Sequence, residues 1–271
     1  MTPAGRLGRA FQNARRERRG AFIPFLTSGF PDQDESDRLA AAVCEEGADA
    51  LELGVPFSDP IADGPTIQRT TEAALRAGTT LVRVLAQAAR LRARFETPIV
   101  LMTYLNPVLR HGAERFAKEA AASGVDGVIL VDLPPEEEPG LWNEFRSCGL
   151  DTITLVAPTT DPERLEHVVQ GTRGYLYVVA RLGVTGRGSE DASVESLLRR
   201  CREITPVPRC LGFGMGLATP LERYRGLVEG VIVGSALLDA ISAAKDPKER
   251  EAAARGFVRE FRKKLPALDP G

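Results

Sequence analysis

Two acidic side chains within residues 49–67 are the first candidates for chemistry in this sequence. Glu52 lies in a short apolar run between a Gly and a Gly-Val-Pro break, which is typical of a buried β-strand. Because side chains alternate along a strand, Glu52 projects from the face opposite Leu51 and Leu53. Burying an acid there is costly unless the group has a partner or a task.

The loop after this strand supplies further carboxylates. It covers residues 56–65, contains three prolines and carries Ser58, Asp59 and Asp63. A carboxylate at a strand end and another on a stiff loop beside it form a candidate acid/base pair. A structural interpretation is the alternative, because a lone Glu in an apolar strand is often half of an ion pair and Asp in such a loop often closes an Asx turn.

Composition limits the possible classes of protein. The chain has 271 residues, 43% of them hydrophobic, and a formal net charge of -2, which suits an α/β barrel formed as a single domain over residues 1–271. The near-balanced charge predicts no nucleic-acid partner, and no apolar run reaches the ~20 residues of a membrane helix. The four cysteines are widely spaced, and the N-terminus lacks the apolar core of a signal peptide. We therefore expect a soluble, cytoplasmic protein with reduced cysteines.

Apolar runs alternate with helical patterns along the chain. Leu7 and Phe11 at helical spacing predict an amphipathic N-terminal helix with a solvated arginine face, although the basic run there also allows a nucleic-acid interpretation. Strands are expected at residues 21–27, 50–53, 98–104, 127–131, 152–156, 174–180, 207–211 and 230–233. Helices are expected at about 34–46, 66–77, 81–95, 112–123, 135–147, 162–170, 193–204, 220–228, 235–243 and 247–265.

Eight strands, each followed by helical sequence, predict a parallel sheet closed into a (β/α)8 or TIM barrel with an extra N-terminal helix. A Gly-x-Asp triplet leads into three of these strands. A doubly wound open sheet is the alternative, but no GxGxxG motif follows the first strand.

Barrel enzymes carry their active sites at the carboxyl ends of the strands. Besides Glu52 and Asp63, the predicted strand ends carry Phe25 and Thr27 on strand one, Tyr104 and Asn106 on strand three, and Tyr175, Tyr177 and Val179 on strand six. Taken one at a time, each aromatic residue is more often a core residue than a pocket residue. Their joint position predicts an apolar pocket suited to a flat aromatic ligand.

Glycine-rich turns follow the last three strands. They cover residues 183–188, residues 212–216 and the pair Gly234-Ser235, which opens a helix. Amides freed by glycine and by a helix N-terminus bind phosphate, and barrels commonly place such a site after strands seven and eight. The polar loop 185–193 could close over a ligand as a lid, although a disordered loop has the same composition.

The remaining residue types exclude other chemistries. All five lysines lie in predicted helices or their flanks, so none is available at a strand end for a Schiff base: Lys118, Lys245, Lys248, Lys263 and Lys264. His111, in a loop leading to a helix, and His167, in a helix, cannot build a multi-histidine metal site. A magnesium site made only of Glu52, Asp59 and Asp63 stays open as an alternative to proton transfer by Glu52 without a cofactor.

The chain resembles the α-subunit family of tryptophan synthase in six segments that follow one another in order: ALELGVPFSDPIADGPTIQ, YLNPVLRHG, VDLPPEE, GVTGRG, GFGMG and VGSA. The resemblance covers essentially the whole chain and implies a (β/α)8 barrel. It also implies a carbon–carbon lyase of late tryptophan biosynthesis, which cleaves indole-3-glycerol phosphate by a retro-aldol reaction to indole and glyceraldehyde 3-phosphate.

At matching positions, the resemblance implies that Glu52 moves the protons and that Asp63 holds the indole N–H and stabilises positive charge on the ring. It implies an indole pocket lined by Phe25, Met102, Tyr104 and Tyr177, and a phosphate site formed by Gly186, Gly214, Gly234 and Ser235. It places Thr185 on a closing loop that contacts Asp63. Met215-Gly216 varies the family's usual turn after Gly214.

The resemblance implies no cofactor in this chain. Members of the family work in an α2β2 complex with a β subunit that carries pyridoxal phosphate, and Asp59 and Pro134 match positions near that contact. Alternatives are a standalone indole-3-glycerol-phosphate lyase, a partner subunit that activates another enzyme, and another phosphate-binding barrel enzyme, which the PFSDPIADGP loop disfavours. The presence of Glu52, Asp63 and Thr185 favours an active enzyme.

Overall fold

Eight parallel strands close into a barrel in chain order, as the sequence predicted. The computed structural model describes residues 5–180, 189–212 and 214–269. The strands are β1 (Ala21–Thr27), β2 (Leu51–Gly54), β3 (Ile99–Thr103), β4 (Gly127–Leu130), β5 (Asp151–Val156), β6 (Leu176–Val179), β7 (Arg209–Gly212) and β8 (Gly230–Val233). Each pairs with the next, and β8 pairs with β1. Their registers set Phe25 beside Glu52 and Gly54 beside Met102.

Helices pack around the barrel, and α-helices join every pair of successive strands from β1 to β7. They are α1 (Arg6–Arg16), α2 (Gln33–Glu45), α3 (Pro65–Arg76), α4 (Leu81–Arg92), α5 (Leu105–His111), α6 (Ala113–Ala122), α7 (Pro139–Ser147), α8 (Pro162–Gly171), α9 (Ser189–Ile204), α10 (Ser235–Ala243) and α11 (Pro247–Arg262). Two short 3₁₀ helices are Leu221–Tyr224 and Leu265–Leu268. Within the described ranges, no helix is long and apolar enough to cross a membrane.

The structure corrects several predicted elements. Helix α5 lies where a loop was expected, because Pro107 occupies its first turn, where a missing N–H costs no intrahelical bond; His111 therefore ends a helix. The helix predicted at 220–228 is wrong, since Gly226 has a φ of 70° and only a 3₁₀ turn forms before it. Helix α7 begins at Pro139 instead of residue 135. Strand β6 is shorter than predicted and leaves Tyr175 just before it.

The amino-terminal end of the barrel is filled by α1. Leu7 and Phe11 are buried, as their helical spacing predicted. Gly127 and Gly230 begin β4 and β8, and a Cβ on them would lie 3.4 Å from Leu7 Cδ1 and 3.3 Å from Phe11 Cε1. The two strands therefore begin close to side chains of α1, which packs at this end of the barrel.

The Gly-x-Asp triplets join helices to strands at the same end. Gly47 and Gly124 have φ of 90° and 79°, a conformation that favours glycine just after a helix. The Asp49 carboxylate accepts the Phe22 N–H of the neighbouring strand at 2.8 Å. Asp126 accepts the N–H of Ile99 in the same way, at 2.9 Å. Each acid therefore ties the start of one strand to the strand before it.

Truncating Leu7, the α1 side chain that packs at the amino-terminal end of the barrel (the barrel floor), should destabilise the fold. Leu7 is 0% exposed, whereas Leu109 on α5 is 57% exposed, so the same leucine-to-alanine change removes very different contacts at the two positions. We expect Leu7→Ala to lower the free energy of unfolding by about 2–4 kcal/mol and Leu109→Ala by less than about 0.5 kcal/mol. Urea unfolding with unchanged m-values measures both, and equal losses would show that α1 does not fill the barrel floor.

Candidate active site

Glu52 lies inside the barrel and accepts a hydrogen bond from across it. The side chain is 0% exposed, and its Oε1 accepts the hydroxyl hydrogen of Tyr175, which precedes β6. Because β2 and β6 are opposite in the eight-strand order, this bond spans the barrel interior. Tyr175 in turn contacts Phe11 of α1, with ring centroids 6.0 Å apart. The acid therefore faces the interior and not the helical layer.

The second oxygen of Glu52 has no hydrogen-bond partner among the described residues. Burial raises the pKa of Glu52 to about 8, and the bond from Tyr175 offsets only part of this effect. At neutral pH the group is therefore mainly a neutral acid. Since Oε1 accepts from Tyr175, whose own pKa burial raises well above its usual range, the acid proton is expected on Oε2. A buried donor without an acceptor is costly and is suited to give its proton to a ligand.

Asp63 lies on the loop between β2 and α3, where the loop fixes its backbone. Its N–H donates to the Pro60 carbonyl at 3.1 Å, and its carbonyl accepts from Gln68 Nε2 at 2.8 Å. Gly64 and Pro65 then begin α3. Partial burial raises the pKa of Asp63 to about 6, although a hydrogen bond with Tyr104 lowers it. Asp63 is therefore mainly ionised at neutral pH.

Helix α3, which follows Asp63, is tied to the end of β1. The Thr27 and Thr70 hydroxyls are buried and form a hydrogen bond of 2.7 Å. Thr70 also bonds to the Ile67 carbonyl at 3.0 Å. This hydrogen bond joins the second turn of α3 to the end of β1, close to the loop that carries Asp63.

The four side chains predicted to form an aromatic pocket are all buried: Phe25, Met102, Tyr104 and Tyr177. The Phe25 ring occupies the space that a Cβ on Gly54 would need, and Tyr177 does the same at Gly212. Sequence reasoning did not assign this role to Gly54, and it placed Gly212 only in the glycine-rich turn 212–216. Their signal was available, since each is the last residue of a strand, where a glycine leaves room for a neighbouring ring.

Two backbone features, at Gly214 and at the start of α10, lie where the sequence predicted a phosphate site. Gly214 has a φ of 77°, in the left-handed region. Gly234 caps α10, whose first residue is Ser235, so the first amides of that helix have no intrahelical acceptor. A Cβ on Gly234 would lie 3.2 Å from Phe25 Cδ1, which places this helix start beside the aromatic side chains. Thr185 and Gly186 lie outside the described residues.

The predicted lid and the possible magnesium site can be placed only in part. Residues 189–193 of the predicted loop belong to α9, and its first part lies outside the described residues. The Asp59 carboxylate is exposed and bonds to the hydroxyl of Ser58. Within the described ranges, no three His, Cys, Asp or Glu side chains converge in a way that could hold a metal ion.

A cavity of about 320 Å³ lies at the opposite end of the barrel from this site. It is lined by α1 and by the segments before β2 and β3. Its charged groups already serve structural ion pairs, Arg6 with Glu96 at 3.1 Å and Asp49 with Arg19 at 2.6 Å. Neither Glu52 nor Asp63 lines it, so it is not part of the candidate site.

Comparisons with known proteins identify a family for this chain. A family sequence model described as tryptophan synthase alpha chain matches residues 11–265. A protein of that name from Geobacter sulfurreducens is 47% identical over 238 residues, which cover 86% of this chain and 89% of the relative. Another from Solibacter usitatus is 44% identical over 259 residues, which cover 95% and 97%.

Solved structures agree with these relatives. A chain in the structure of Mycobacterium tuberculosis tryptophan synthase superposes with a TM-score of 0.88 at 36% identity, covering 99% of this chain and 100% of that chain. The crystal structure of tryptophan synthase subunit alpha from Legionella pneumophila gives 0.86 at 34% identity, covering 98% and 99%. The likeness in sequence and in fold therefore extends along nearly the whole chain.

Glu52→Gln should raise the free energy of unfolding, and the gain should grow with pH. The pKa of Glu52 is about 8 in the folded protein, against an ordinary value of 4.5. Between these values the folded protein binds more protons than the unfolded chain, so wild-type stability falls as pH rises, by up to ~1.4 kcal/mol per pH unit. Glutamine removes this dependence.

Urea unfolding at several values between pH 5 and pH 8 measures the difference. Glu114→Gln is the matched control, because Glu114 is exposed on α6 and its pKa is lowered by Lys118; its difference from wild type should not grow with pH. A gain from Glu52→Gln that stays constant over this range would contradict a buried, neutral acid.

Proposed function

This chain belongs to the tryptophan synthase alpha chain family, and on that premise we propose that it is a carbon–carbon lyase that cleaves indole-3-glycerol phosphate to indole and glyceraldehyde 3-phosphate. One observation carries the proposal. The strand β2 and the loop after it supply two carboxyl groups whose pKa values differ, about 8 for Glu52 and about 6 for Asp63. At neutral pH this gives one proton donor and one anion, the division of roles that acid/base catalysis by a carboxyl pair needs.

Each proton and electron pair in the reaction can be assigned. Glu52 gives the proton on Oε2 to carbon 3 of the indole ring, and the positive charge that develops on the ring is stabilised by Asp63, which accepts the indole N–H. The bond from carbon 3 to the glycerol chain then breaks, and its electron pair restores the aromatic ring. The adjacent hydroxyl becomes the aldehyde as it returns its proton to Glu52. The acid is regenerated, and no cofactor takes part.

The remaining residues bind the two ends of the substrate. Phe25, Met102, Tyr104 and Tyr177 form the indole pocket, in which flat rings pack against the ligand. The first amides of α10, with Gly234 and Ser235, bind the phosphate together with Gly214 and Gly186. For Thr185, which lies outside the described residues, we propose the role near Asp63 that the family resemblance implies.

We further propose that the protein acts in the cytoplasm with a β subunit that carries pyridoxal phosphate, in an α2β2 complex to which it passes indole. Its match to the whole of one chain in the structure of M. tuberculosis tryptophan synthase supports a β-subunit partner. The loop after β2 offers an exposed apolar residue, Ile61, which is 85% exposed two residues after Asp59. We propose no pyridoxal-phosphate-binding residue in this chain.

The direct test is to mix the purified protein with indole-3-glycerol phosphate and to assay indole, with and without a β subunit. Indole formation that the β subunit stimulates supports the proposal. Fast turnover that the β subunit does not change would identify a standalone lyase. If no indole forms even with the β subunit, the chain would instead be an activating partner without its own reaction.

The pH dependence of kcat/KM should follow the two carboxyl groups. Activity needs ionised Asp63 and protonated Glu52, so it should fall as pH drops below about 6 and again as pH rises above about 8.

Glu52→Gln, which keeps the volume and removes the proton, should lower kcat roughly 10²- to 10⁴-fold with ligand binding retained. Asp63→Asn should be severely slowed and should lose the acid limb. Near-normal turnover in either variant would remove that residue from catalysis.

A further inference from the structure

We propose that the Tyr104 hydroxyl positions Asp63 by holding its carboxylate in one orientation beside the pocket. This inference rests on the function proposed above, in which Asp63 must face the indole N–H. It gives Tyr104 a task beyond lining the pocket with its ring, because the hydroxyl and not the aromatic face is the group that acts.

The direction of the hydrogen bonds at Tyr104 is set by the backbone. The Ala62 N–H donates to the phenol oxygen at 3.1 Å. A tyrosine hydroxyl has one hydrogen to donate, and we assign as its acceptor the carboxylate of the next residue, Asp63, whose charge acts on the phenol. The phenol therefore holds two successive loop residues, one through its backbone and one through its side chain.

Tyr104 is itself fixed more firmly than the loop that it holds. It follows β3 directly, is 4% exposed and caps α5. The next amide, that of Leu105, donates to Asp132 Oδ1 at 2.8 Å, which anchors the backbone at this point. The Phe57 ring packs on the phenol with centroids 5.3 Å apart. Phe57 and Asp63 lie near opposite ends of the loop, so both ends of the loop lie beside the side chain of Tyr104.

The charges around the phenol keep it a donor. Burial raises the pKa of Tyr104 above its usual range, and Asp63 and Asp132 raise it further. Asp63 lies on the loop after β2, and Asp132 lies in the segment after β4. The hydroxyl thus keeps its hydrogen over the working range of pH, and donating it to one oxygen of Asp63 would leave the other oxygen for a ligand.

Orientation matters because a half-buried carboxylate on a loop can rotate. A catalytic group displaced by about 1 Å can cost on the order of a hundredfold in rate. The hydroxyl of Tyr104 restricts this rotation without contact with the reacting atoms, so Tyr104 is a positioning residue in this respect.

Tyr104→Phe tests the proposal because it removes the hydroxyl and keeps the ring that packs on Phe57. We expect kcat/KM for indole formation to fall roughly ten- to a hundredfold, mainly in kcat. The acid limb should move to higher pH, since Asp63 loses the bond that lowers its pKa. Phe57→Leu is the matched control: it removes the ring contact and keeps the hydroxyl, so it should leave the acid limb in place. An unmoved acid limb in Tyr104→Phe would overturn the proposal.

The double variant separates action through Asp63 from direct action on the substrate. If Tyr104 acts through Asp63, Asp63→Asn combined with Tyr104→Phe should be no slower than Asp63→Asn alone. An equal fold-loss from Tyr104→Phe in both backgrounds would contradict the proposal.

A measurement without substrate distinguishes this inference from the proposed function. In an NMR titration of carboxyl-labelled aspartates, with Asp63 assigned by its loss in Asp63→Asn, the Asp63 midpoint should be higher in Tyr104→Phe than in the wild type. An unchanged midpoint refutes the role of Tyr104 even if the wild type forms indole. A wild type that forms no indole, with the midpoint shifted as expected, refutes the proposed function instead.

Discussion

The burial of Glu52 without a countercharge is the constraint on which the rest of the site depends. An ionised carboxylate in an apolar barrel interior is costly, so the group takes up a proton and becomes a neutral acid at neutral pH. A salt bridge at this position would have had the opposite effect, because a cation favours the charged form. The partner that the fold supplies is the hydroxyl of Tyr175, which satisfies one oxygen and leaves the acid proton on the other. Tyr175 rests against Phe11 of α1, so the helix that fills the barrel floor also supports the partner of the acid.

Asp63 has the same chemical group in a different setting. Its loop leaves it half-buried, so burial raises its pKa less than that of Glu52. The difference in role between the two acids therefore comes from depth in the fold and not from residue type. The loop is held at both ends, by the tie between Thr27 and Thr70 near the start of α3 and by Phe57 on the Tyr104 ring. A rigid barrel with a tethered loop keeps the two environments distinct.

Much of this arrangement could be predicted from the sequence because it depends on local patterns. Apolar runs at regular intervals predicted the eight strands. The alternation of side chains along β2 predicted that Glu52 projects from the face opposite Leu51 and Leu53. The partner of Glu52 could not be predicted in this way. Tyr175 is 123 positions away, and only closure of the barrel brings β6 opposite β2. Tyr104 was predicted as an indole-pocket residue, and its bond to the Ala62 amide depends on loop geometry that has no sequence signature.

The protonation of Glu52 at neutral pH is the central claim, and difference infrared spectroscopy tests it most directly. The spectrum of the wild type minus that of Glu52→Gln isolates the carbonyl stretch of this one side chain. At pH 7 we predict the band of a protonated carboxylic acid, which should give way to carboxylate bands as the pH is raised through about 8. Carboxylate bands already present at pH 7, with no carboxylic-acid band, would contradict the account.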